Sequence, residues 1–153
     1  MPRRLIPVLL SLLIGAAGCG SDNPVEPLNL QSWTAARQKW QAARITHYRY
    51  TSTLSCFCPL EVVQPITAEY RNGQLVSASY ADGRAVPPAF AASRPSIDSL
   101  FSEIIANRGE YVDRVEASYD AQYGYPRVIQ VITKPIIADG ESERRVTAFE
   151  RLP

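Results

Sequence analysis

The sequence is short of histidine, methionine and surplus charge. Its 153 residues hold one histidine, one methionine and three cysteines, with 16 basic side chains against 15 acidic ones. Any hydrolase triad or zinc site with a histidine must therefore use His47. No Gly-x-Ser-x-Gly elbow, phosphate-binding glycine loop or dinucleotide fingerprint occurs. A net charge near zero offers no field to gather nucleic acid, so no nucleic-acid partner is expected. No apolar run approaches the ~20 residues that a membrane-spanning helix needs.

What is present begins with the first nineteen residues. Arg3 and Arg4 precede an apolar stretch from Leu5 to Ala17, and the small residues Ala16-Ala17-Gly18 lead directly to Cys19. That order reads as a lipoprotein signal peptide over residues 1–18, cleaved so that lipid attaches to Cys19. Several acyl chains on one cysteine give firm anchoring to a membrane. The expected location is the cell envelope, at the outer membrane facing the periplasm if the cell is Gram-negative, since Gly20 rather than Asp follows the cysteine. Loss of Arg3 and Arg4 lowers the 16 basic residues to 14, against 15 acidic. Met1 leaves too, which excludes thioether copper ligation. Residues 19–29, polar and with Pro24 and Pro27, read as a lipidated tether. Residues 30–153 are long enough for a single domain with one core.

Within that domain, Leu30, Trp33, Ala36, Trp40 and Ala43 recur at helical spacing behind Asn29, an N-cap, and predict a helix over 30–44. Ile45 to Leu54 alternates, with Tyr48 and Tyr50 on one side and His47, Arg49, Thr51 and Thr53 on the other. Leu60 to Tyr70 and Gln74 to Tyr80 read as two more strands, the latter entered through the hairpin signal Asn72-Gly73. Residues 84–95 read as a loop. Ser96 caps a second helix carrying Ile97, Leu100, Phe101, Ile104 and Ile105, stopped by Gly109. Strands follow at 111–119, 125–133 and 144–152. The expected fold is α+β: an antiparallel sheet of about six strands with two helices on one face, in an order that suggests an α-β-β-β duplication. The open face should be the more polar one and a place to look for binding.

Several segments recur together. A tryptophan-bearing helix leads into Tyr48-Arg49-Tyr50. Then come Cys56-Phe57-Cys58, Asn72-Gly73, Ser96-Ile97-Asp98-Ser99-Leu100-Phe101, and Asp120 with Tyr123-Gly124-Tyr125-Pro126. Over about residues 30–152 the chain resembles bacterial secreted proteins and lipoproteins that carry the domain of unknown function numbered 6174. The resemblance implies an architecture and a location, and no catalytic residues. In one respect the chain departs from that pattern: Ile129 to Thr133 holds no acidic residue, which deprives an acid or metal site at Asp120 of a partner.

Cys56 and Cys58 are the remaining thiols of an exported chain and are expected to pair. On a straight strand their Cα atoms would stand about 6.5 Å apart, so a disulfide of ordinary geometry needs a bend, which Pro59 suggests. The pair reads as a structural clip, a thiol-redox site or part of a soft-metal site. Asp120, Tyr123 and Tyr125 form a candidate binding surface or, alternatively, a turn packed over the sheet edge. No cofactor and no catalytic residue are implied. The leading reading is a membrane-anchored envelope lipoprotein that is a binding or structural module and not an enzyme. Its partner would be an envelope protein or a small molecule. The alternative is a thiol-redox or soft-metal-handling protein acting through Cys56 and Cys58.

Overall fold

In a computed structural model the described residues are 24–153. The strands are β1 (Glu26–Pro27), β2 (His47–Ser55), β3 (Ile66–Arg71), β4 (Gln74–Tyr80), β5 (Val112–Tyr119), β6 (Pro126–Thr133) and β7 (Ser142–Arg151). The helices are α1 (Leu30–Ala43), α2 (Leu60–Val63), α3 (Pro88–Ala91) and α4 (Ile97–Ala106). All seven strands join one antiparallel sheet in the order β1-β5-β6-β7-β2-β3-β4. The two helix-plus-three-strand units lie side by side, with β7 against β2.

Both long helices start where the sequence places them. The Asn29 side chain accepts from the Gln31 and Ser32 amides, and Ser96 Oγ accepts from the Ser99 amide, which satisfies donors that a first turn leaves free. Asn72 and Gly73 both take positive φ, 51° and 76°, as a tight hairpin with matching twist requires.

The expected count of six strands and two helices is corrected to seven and four. The extra strand is β1: Glu26 and Pro27 pair with Ala117 and Glu116, and the Leu28 amide donates to Val115 O. An edge position tolerates Pro27, which has no amide hydrogen to give a ladder. Leu60 to Tyr70 is not one strand. Pro59 and Pro65 bracket its first part, and between them Leu60–Val63 forms one helical turn that exposes Leu60 and buries only Val62. The loop after β4 contains α3, whose Ala91 joins Ile66, Tyr80 and Val86 in a small cluster. The second long helix ends at Ala106, before Gly109, where Asn107 Nδ2 donates to Glu103 O.

One face of the sheet is covered. Trp40 and Ala36 of α1 and Ile97, Leu100, Phe101 and Ile104 of α4 pack on Tyr48, Tyr50, Ala68, Tyr70, Val115, Ala117, Ile129 and Val146. Trp33 links the helices, with its ring edge on Phe101 at 6.1 Å and its Nε1 donating to Phe101 O. The other face is polar, as expected, and its charges are largely matched. His47 meets Glu69 at 2.9 Å, Arg49 meets Glu150 at 2.6 Å, Arg114 meets Glu116 at 2.8 Å, and Glu143 takes hydrogen bonds from Gln130 and Arg145.

Candidate functional site

The two ends of the strands differ. At one end lie the Asn72-Gly73 hairpin and the turn from Asp120 to Tyr125. At the other end β2 runs into the disulfide, and α4 ends beside the loop between β6 and β7. A groove of about 550 Å³ opens there, lined by Leu54, Cys56, Cys58, Val112, Ile129, Val131 and Arg144 among others. That volume lies within the range typical of ligand sites. The lining is mixed: Leu54, Val112, Ile129 and Val131 supply apolar surface, and Glu103, Asn107, Ser142 and Arg144 supply polar groups. Arg144 Nε stands 3.5 Å from Glu103 Oε2, and its Nη1 donates to Ser93 O at 2.8 Å. Apolar side chains near this end of the sheet reach into water: Phe57 is 85 % exposed, Ile136 78 % and Leu60 69 %.

The segment behind the groove is held by a buried cation. Arg94 is fully buried, with Nη2 donating to Val62 O and Gln64 O and Nη1 to Ser93 O and Ser93 Oγ. Burial, and then the neighbouring Arg144 charge, lower its pKa to about 10. It stays charged at neutral pH and ties the turn after the disulfide to the segment before α4. Three tyrosine hydroxyls hold that segment from the sheet side. Tyr70 donates to Arg94 O, Tyr50 donates to Pro95 O, and Tyr48 accepts from the Ile97 amide. The rings are stacked along the covered face, Tyr48 to Tyr70 at 5.7 Å and Tyr50 to Tyr70 at 6.4 Å. Tyr48-Arg49-Tyr50 and the start of the second helix thus meet in space.

Of the residues singled out from sequence, Cys19 lies outside the described residues. Cys56 and Cys58 are joined, and the expected bend is present: the Cys58 amide donates to Cys56 O and the Cα atoms are 5.2 Å apart. That spacing lies in the ordinary disulfide range. His47 is not brought to the cysteines. It begins β2 on the open face, a nine-residue strand away, roughly 30 Å at the usual rise per residue. There its Nε2 meets Glu69, whose carboxyl is held below its usual range chiefly by that hydrogen bond. Among the described residues no group of three or more His, Cys, Asp or Glu is placed to hold a metal ion.

Asp120, Tyr123 and Tyr125 lie together at the turn end, with Tyr125 buried and the other two partly exposed. Asp120 Oδ1 accepts from the Gln122 and Tyr123 amides, Tyr125 is buried and stacks on Phe149 at 4.5 Å, and Tyr123 is half-buried against the same ring. Gly124, between the tyrosines, has φ +80°, and the place where a Cβ would stand is already taken by Ala36 O of α1. These contacts describe a turn packed under a helix.

Neither the groove nor the buried Arg94 was foreseen from the sequence. The one sequence feature that falls in the groove is the cysteine pair, since Cys56 and Cys58 both line it. Among the described residues no helix is long and apolar enough to cross a membrane. No curated protein matches the chain. A match does exist at the level of a family, over residues 32–151, from the third residue of α1 to the last of β7. It spans both helix-and-meander units, the disulfide and the groove, and it places this chain in the family of unknown function DUF6174.

Proposed function

We propose that the chain is a bacterial lipoprotein, held at the cell envelope by lipid on Cys19, whose groove beside Cys56 and Cys58 binds an extended segment of a partner polypeptide. Support for the anchor is the order of Arg3-Arg4, the apolar run and Ala16-Ala17-Gly18 before Cys19. The observation that carries the binding reading is the groove itself: apolar Leu54, Val112, Ile129 and Val131 alternate with polar Asn107, Ser142 and the Glu103–Arg144 pair, and exposed Phe57 sits in the chain between the two cysteines that line it. A cleft that offers both apolar surface and hydrogen-bonding groups suits an extended polypeptide, whose side chains use the first and whose backbone uses the second.

β1 runs antiparallel to β5, so the chain comes in at the turn end, near Tyr119, and the groove lies at the far end of β5. Cys19 and Pro24 are five residues apart, a reach of at most about 18 Å. An anchor at Cys19 would therefore lie within that reach of Pro24, which enters the sheet from the turn end of β5.

The test expresses the full chain in a bacterium fed labelled fatty acid, with a photo-crosslinker at Phe57 or, as a control, at Thr53 on the open face. The expected result is label that Cys19→Ser abolishes, and polypeptide adducts from position 57 alone. Absence of label removes the anchor. Equal adducts from both positions remove the groove.

A further inference from the structure

We propose that the Cys56–Cys58 disulfide is an exchange site that takes two electrons from a dithiol peptide lying in the groove, an inference that rests on the groove being a polypeptide site. Cys58 is exposed and Cys56 half-buried, and both line the groove. The bond is thus reachable from the place where a peptide would lie.

The cross-link encloses a single residue, Phe57, and a loop that short removes little entropy from the unfolded chain. Its surroundings are held by other means. Ser55 pairs with Glu143 of β7, Val62 is buried, and Arg94 bonds Val62 O and Gln64 O just downstream. The bond can therefore open without unfolding the domain. The cross-linked turn also holds Phe57 in water, where its ring can meet the incoming peptide.

The exchange proceeds in two displacements. A peptide thiol loses its proton to water, and its sulfur attacks Sγ of Cys58, the more exposed of the pair. The Cys56–Cys58 bond breaks and Cys56 leaves as a thiolate that takes a proton from water. The peptide's second thiolate then attacks the mixed disulfide at its own first sulfur. The peptide leaves oxidised and Cys58 is released as a thiolate that is protonated in turn. Two electrons and two protons pass from the peptide to the protein, and no other reactant is needed for this single turnover.

The experiment uses the oxidised full-length chain in detergent and a synthetic peptide carrying two cysteines among apolar residues, with glutathione at equal thiol concentration as the reference. Alkylation and mass analysis report the state of Cys56 and Cys58. The expected result is reduction by the peptide about tenfold faster than by glutathione, an advantage worth ~1.4 kcal/mol of transition-state binding, largely lost in Phe57→Ala. Cys56→Ser, which keeps Cys58, should also form the mixed disulfide with an activated peptide disulfide about tenfold faster than Cys58→Ser does. Equal rates for peptide and glutathione, unchanged by Phe57→Ala, overturn the peptide substrate and with it the groove reading. A disulfide that resists both thiols in the folded chain, while position 57 still cross-links to polypeptide, overturns exchange alone.

Discussion

The two ends of the sheet are built on opposite plans. At the turn end Trp40 sets its edge on Tyr48 and Phe149, Tyr48 stacks on Tyr70, and Tyr125 stacks on Phe149. Local geometry there is fixed by residues suited to it, Asn72-Gly73 in one turn and Gly124 in the other. At the groove end a short cross-link is added to the buried Ile66, Tyr80, Val86 and Ala91, a charged pair lines a cleft, and Phe57, the residue inside the cross-link, remains in water. The aromatic stacking is concentrated at the turn end, whereas the groove end keeps a cleft between its elements. The largest test of that contrast is Trp40→Ala. Trp40 is 4 % exposed and bridges α1 to β2 and β7, so its loss should cost about 3–5 kcal/mol in urea unfolding. A cost below about 1 kcal/mol would deny the turn end its role.

Two glycines in positive-φ turns sharpen the comparison within that end. At Gly73 the space that a Cβ would occupy is open, whereas at Gly124 it collides with Ala36 O and lies 3.0 Å from Lys39 Cβ. Alanine at 73 meets only the backbone penalty, about 1 kcal/mol. Alanine at 124 must also push α1 away, and about 2–4 kcal/mol is expected. Equal costs would mean that α1 does not rest on this turn.

The tyrosines join the two ends, because their rings belong to the packed face and their hydroxyls hold the segment behind the groove. Tyr48→Phe keeps the ring and strands the Ile97 amide, for an expected loss of about 1–2 kcal/mol. Burial raises the pKa of Tyr48, Tyr50 and Tyr70, and pushes Tyr119 and Tyr125 up to about 12. A phenol with a raised folded pKa stabilises fully below its unfolded value, 10.0, and that contribution is lost as pH rises through the folded value. An alkaline titration should therefore show these phenols ionising together with loss of circular dichroism. Ionisation of all eight tyrosines near pH 10 in a chain that stays folded would contradict it.

Much of this was legible in the sequence because it is local. Helical spacing behind Asn29 and Ser96, alternation through Tyr48 and Tyr50, and the Asn72-Gly73 turn each depend on neighbours a few residues away. The misreadings have equally specific causes. Leu60, Val62, Ile66, Ala68 and Tyr70 alternate across Pro65, which no continuous central strand accommodates. Glu26–Pro27 is too short to show a period, and its pairing is decided by β5, ninety residues on. Arg94 reads as a surface residue, since only the fold brings the Val62 and Gln64 carbonyls to it. The groove arises from segments distant in sequence, the disulfide turn, the end of α4, the sheet strands β5 and β6 and the start of β7, so no local pattern announces it.

The smallest expected effect carries the contrast to the groove end. Phe57 is 85 % exposed, so its ring gains little from the fold, and Phe57→Ala should change unfolding free energy by less than about 0.5 kcal/mol. The same ring truncated at the other end, Phe149→Ala, removes contacts to Trp40, Tyr48, Tyr123 and Tyr125 and should cost several-fold more. Urea unfolding of the two variants side by side measures the difference. A large loss at 57 would show that its ring folds back on the domain and is not held out for a partner. Near-neutral stability at 57, with the peptide's rate advantage over glutathione lost, separates a residue that serves contact from residues that serve the fold.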